Sequence, residues 1–71
     1  MSKEELAFVV FILFQLSEAW DMPVPQVYER LKKTEVLDGY IIACFDVLHT
    51  LGREYLINDI TELVEEREAA L

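Results

Sequence analysis

One stretch governs what this chain can fold into. Across residues 6–16, ten of eleven positions are apolar and Gln15 alone is polar. A membrane-spanning helix needs about 20 apolar residues, and this run stops at Ser17-Glu18. An export signal opens on basic residues, but Lys3 is followed by Glu4 and Glu5, and no small-residue cleavage site comes after the run. The run therefore reads as a buried helix of a cytoplasmic protein, with no membrane segment. In a chain of 71 residues, a single helix of this kind holds a large share of the apolar surface.

The flanking residues support helices throughout. Ser2 and Glu5 have the spacing of a capping box, and Glu4 and Glu5 suit the positive end of a helix dipole, so helix 1 runs to about Trp20. Pro23 and Pro25 break the chain after Asp21, and Pro25 fits the first turn of helix 2, residues 25–33. Val27, Tyr28 and Leu31 form its narrow apolar stripe, and Glu29 and Lys33 can pair across one turn. Helix 3 is expected over residues 36–50, capped by Thr34 and stopped by Gly52. Leu37, Tyr40, Ile41, Cys44 and Leu48 have the spacing of its buried face, and Gly39 inside it suggests a close approach of another helix. Residues 53–57 fit either an extended link or the first turn of helix 4, and Asn58 or Asp59 can cap that last helix. Ile60, Leu63 and Val64 face inward there. The expected fold is all-α, a compact bundle of three to four helices forming one domain over residues 1–71.

Charge and residue types exclude several functions. Six Lys and Arg against fourteen Asp and Glu leave a net charge of −8, which phosphate backbones and anionic membrane surfaces repel. The order helix 2, turn, helix 3 imitates a DNA-reading motif. Helix 3, however, would offer Val36, Asp38, Tyr40, Ile41, Ile42, Ala43 and Asp46, an acidic and apolar set where base readout needs polar and basic groups. A hydrophobic fraction of 54% excludes a disordered chain. One Cys and one His cannot fill a four-ligand zinc site, and Cys44 reads as a small core residue. No phosphate loop or nucleophile motif is present, so no cofactor, metal or small-molecule substrate is expected.

His49 is the single histidine, and Asp46 lies three residues before it, so both can share a helix face. Such a pair can orient an imidazole as a general base. It lacks a partner nucleophile, because Thr50 is a neighbour in sequence without being aimed at the ring. A structural role at the negative end of the helix 3 dipole fits His49 better. The chain reads as not an enzyme, with catalysis by His49 and Asp46 the weaker alternative. Trp20 and Tyr28 are expected to pack over the proline loop, and Arg30, Lys32 and Lys33 to solvate helix 2.

What remains is an apolar surplus. Leu6, Val9, Val10, Leu13, Leu16 and Trp20 can supply helix 1's share of the core, while Phe8 and Phe11 fall on its other side, near Gln15 and Glu18. A helix apolar on all sides is expected to be covered on all sides. The expected function is therefore protein binding, with Phe8, Phe11, Gln15 and the helix 4 carboxylates Glu62, Glu65 and Glu66 in contact with a partner. The alternative is a homo-oligomer, a two-fold dimer by default, pairing through helix 1.

The segment Asp46-Val47-Leu48-His49-Thr50-Leu51-Gly52-Arg53-Glu54-Tyr55, followed by Asn58-Asp59-Ile60, resembles a family of short gut-bacterial proteins of unknown function. Val27-Tyr28-Glu29 fits the same pattern, and the resemblance covers roughly residues 6–66. It implies that Asp46, Leu48, His49, Thr50, Gly52, Glu54 and Tyr55 form a shared structural or binding feature. The family's genes often lie beside one for an ADP-ribosyltransferase-like protein, which implies an antitoxin-like or accessory partner.

Overall fold

The computed structural model describes all of residues 1–71. Helix α1 spans Lys3–Trp20 and starts on the expected capping box: Glu5 N–H donates to Ser2 Oγ at 3.1 Å, and Ser2 N–H donates to Glu5 Oε1 at 2.8 Å. The bond from the Ser2 backbone holds the Glu5 carboxyl below its ordinary range. Asp21 ends α1 in the left-handed region, at φ 50°. Asp21 N–H reaches Glu18 O, and Met22 N–H reaches Ser17 O, the two bonds of a Schellman cap. The chain then turns by 105° into α2, Val24–Lys33. No single helix is long and apolar enough to cross a membrane.

Residues 36–50 are not one helix. A π-helical turn, Leu37–Ile42, is followed by an interruption at Cys44 (φ −107°, ψ 22°) and a single turn, α3, Phe45–Leu48. The wider i→i+5 turn brings residues five apart onto one side, so Val36, Leu37 and Ile41 all enter the core. Gly39 does not serve a close approach, since a Cβ there would meet nothing within 4 Å. Thr34 does not cap helix 3. It ends α2, buried, with its hydroxyl donating to Arg30 O at 2.8 Å. Glu35 follows in the left-handed region, at φ 61°.

The last helix, α4, spans Arg53–Ala70. Residues 53–57 are thus its opening turns, and neither Asn58 nor Asp59 caps it. Gly52 occupies the N-cap position of α4 in extended geometry and does not end the helix before it. Tyr40 Oη donates to Asp59, tying the π turn to α4. The bond to that carboxylate, with burial second, pushes the Tyr40 phenol up to about 12.

Every element feeds one core of twelve buried residues. Val9, Ile12 and Leu16 come from α1, and Val27 and Leu31 from α2. Val36, Leu37, Ile41 and Leu48 line the middle, and α4 adds Leu56, Ile60 and Val64 at four-residue spacing. Leu13, Trp20 and Leu63 pack against this core half-buried, while Leu6 and Val10 lie exposed, contrary to the sequence reading. No buried side-chain polar atom lacks a partner.

Arg30 is not a solvating charge. Its guanidinium lies 4.5 Å over the Trp20 ring and forms two bonds to Glu68, at 2.6 and 2.8 Å. Trp20 Nε1 donates to Thr61 Oγ1 at 2.9 Å. Trp20 thus packs in a corner with Arg30 and Thr61. Tyr28 is exposed, and Glu29 and Lys33 do not pair.

Candidate protein-interaction surface

Helix α1 is built to bury one row and leave another bare. Side chains three and four apart share a helix face. Val9, Ile12 and Leu16 form the row that enters the core. Leu6, Val10 and Phe14 form a second row, 54%, 41% and 60% exposed, with Phe11 beside them at 41%. Ala7 lies between them, also exposed. No element of the chain covers this face, which runs from Leu6 to Phe14 without a polar side chain.

Phe8 does not belong to it. It is one turn before Ile12, so it follows the buried row, and its ring meets Phe45 edge-on at 5.5 Å and 72°. Phe11 does lie on the bare face. Gln15 is half-buried and accepts a hydrogen bond from Arg53 Nε, while Arg53 Nη2 approaches Glu18 Oε1 at 3.4 Å. Gln15 is thus held to the start of α4 and borders the face without standing on it. Glu62, Glu65 and Glu66 are exposed on α4. Sequence reasoning missed Leu6, Val10 and Phe14. The signal available was their four-residue spacing, but the row Val9, Ile12, Leu16 is equally apolar, and only the neighbouring helices decide between them.

The segment 46–55 forms the corner between α3 and α4. Leu48 is in the core. His49 stacks on Phe45 at 4.5 Å and 13°, and its Nδ1 lies 2.7 Å from Phe45 O. A carbonyl only accepts, so Nδ1 is the donor in this contact. Asp46 makes no bond to His49. Thr50 Oγ1 donates to Val47 O at 2.7 Å, and Gly52, Glu54 and Tyr55 begin α4, with Tyr55 exposed.

Two surface grooves are present. One, of about 270 Å³, is lined by Ala19, Arg53, Glu54, Ile57 and Asn58. The other, of about 450 Å³, lies among Met22, Gln26, Glu29, Arg30, Lys33 and Glu68. Neither gathers His49, Cys44 or a hydroxyl, and no three His, Cys, Asp or Glu side chains converge as metal ligands.

A family model described as "Protein of unknown function (DUF3791)" matches residues 7–67. The chain belongs to that family. The match takes in most of α1, including Val10, Phe11 and Phe14, and the whole 46–55 corner. Comparisons with curated proteins and with solved structures find no match.

Proposed function

We propose that this DUF3791 domain is a protein-interaction module that docks through the bare face of α1. The observation carrying the reading is that Leu6, Val10, Phe11 and Phe14 stay 41–60% exposed on consecutive turns of one helix. Full burial of such a side chain stabilises by about 1.5–3 kcal/mol, so covering the exposed half of each is worth roughly 1 kcal/mol. A contiguous apolar patch of this kind marks a docking surface more often than a random surface residue does. The net charge of −8 acts at longer range. Charge of this size shapes encounter rate more than affinity. An antitoxin-like or accessory role beside a larger protein is one form of this reading.

The test places a photo-reactive amino acid at position 14 in native cells, with position 33 on α2 as control. Covalent protein adducts at position 14 and none at 33 are the expected outcome. No adduct at 14, or the same adducts at both positions, overturns the reading.

A further inference from the structure

We infer that the occupant of the α1 face is a second copy of this chain, its α1 running antiparallel about a two-fold axis between Val10 and Phe11. The inference rests on the interaction reading above and names the partner. Along the bare stripe the residues run Lys3, Ala7, Val10, Phe14 and Glu18, with Leu6 and Phe11 at its flanks. In an antiparallel pair centred between residues 10 and 11, residue i lies level with residue 21 minus i of the partner. Lys3 then meets the second copy's Glu18 at both ends. Ala7 lies level with the second copy's Phe14, a methyl opposite a ring, so that the aromatic ring has room between the two backbones. Val10 lies level with the second copy's Phe11 at the axis. One register thus satisfies charge at the rim and size in the middle, twice over by symmetry.

The charged ends are free to take this part. Lys3 forms no ion pair within the chain. The Glu18 side chain is 78% exposed, and its one contact, to Arg53, is at 3.4 Å. Lys3 and Glu18 are separated by about 22 Å along the helix at 1.5 Å per residue, so the apolar stretch between them is bracketed by opposite charges. A parallel pairing would set Lys3 on Lys3 and Glu18 on Glu18, and like charges at close range disfavour it.

Area sets the strength. With about 200 Å² per aromatic residue, the exposed fractions of Phe11 and Phe14 come to roughly 200 Å² per copy. A standard interface buries about 800 Å² per partner. A contact built on one helix therefore sits at the weak end, and the dimer assembles as concentration rises.

Sedimentation equilibrium of the full purified chain, from micromolar to millimolar concentration, tests this. The wild type is expected to pass from monomer to dimer. Phe14→Asp, at an exposed position, is expected to weaken association by at least about tenfold. Lys3→Glu and Glu18→Lys are each expected to weaken it by about fivefold, because each creates two like-charge contacts. Lys3→Glu combined with Glu18→Lys is expected to restore it to within about twofold. Helical circular dichroism checks that every variant stays folded. A wild type monomeric throughout the range overturns the inference, as does a dimer insensitive to Phe14→Asp or one not rescued by the charge exchange. If the purified chain is a monomer while position 14 still yields adducts to other proteins in cells, the self-partner reading falls and the interaction reading stands. If position 14 yields no adducts at all, both fall.

Discussion

Arg30 offers the sharpest test of how the helices are held together, because one side chain joins three of them. It projects from α2, lies over Trp20 at the end of α1, and grips Glu68 near the end of α4. Its side chain is 24% exposed and that of Glu68 37%. A partly exposed cation over an indole is worth about 0.5–1 kcal/mol. An exposed ion pair is worth up to about 1 kcal/mol, with two-pronged geometry at the upper end of that range. Replacing Arg30 with Ala is therefore expected to cost about 1.5 kcal/mol after allowing for solvent screening. In a domain of this size that lowers the melting temperature by about 6–12 °C. Arg30→Met separates the charge from the packing of the aliphatic stem and should retain part of the stability. Arg30→Lys keeps the charge but loses the planar stack and the fork, so it should cost about half as much as Ala. A double-mutant cycle with Glu68→Ala should give a coupling of about 0.5–1 kcal/mol. The hydrogen bonds from Arg30 hold the Glu68 carboxyl below its ordinary value of 4.5. A lowered folded-state value means that the contribution is whole above pH 4.5 and fades as pH falls below it. Urea unfolding of wild type and Arg30→Ala should therefore show a gap at pH 7 that narrows in acid. A loss under about 0.5 kcal/mol for Arg30→Ala, or an Arg30→Lys variant as stable as wild type, refutes the argument.

Three other predictions concern the core, the π turn and the helix ends. Ile12 is 1% exposed, so Ile12→Ala should cost about 2–5 kcal/mol in urea unfolding, whereas Val10→Ala on the bare face should cost under about 1 kcal/mol; equal losses would show that the two rows of α1 are wrongly assigned. Tyr40→Phe removes a donor to Asp59 and should cost about 1–2 kcal/mol at pH 8. The Tyr40 phenol is raised from 10.0 to about 12, so its contribution is whole below pH 10 and is lost as pH climbs through about 12. The gap between Tyr40→Phe and wild type should close over that window, and a constant gap counts against the bond. Glu35→Gly, at φ 61°, should raise stability by about 0.5–1 kcal/mol by removing the left-handed penalty of a side chain. Gly39→Ala, with open space around its Cβ, should do the same by limiting the unfolded chain; a fall in melting temperature for either refutes that account.

Local chemistry was readable where a few neighbouring residues settle it. The Ser2 and Glu5 box starts α1, Pro23 stands between α1 and α2 with Pro25 in the first turn of α2, and Ile60 and Val64 enter the core as their spacing indicates. Residues 36–50 were misread because a π turn keeps the same apolar residue types as an α-helix while changing which of them share a side. Asp21 and Glu35 escaped notice as left-handed positions because glycine is the usual marker there. Asp59 and Thr34 resemble caps by type, yet each is used elsewhere, Asp59 by Tyr40 and Thr34 by its own helix.

The amino-acid order alone determined that this is an all-α chain with more apolar side chain on α1 than one small bundle can cover, since hydrophobic content, helix starts and breaks are local properties. Tertiary structure alone decided which half of α1 is bare. An evenly apolar helix has no preferred side of its own, so the packing of α2, the π turn and α4 put Val9, Ile12 and Leu16 inside and left Leu6, Val10, Phe11 and Phe14 to the solvent.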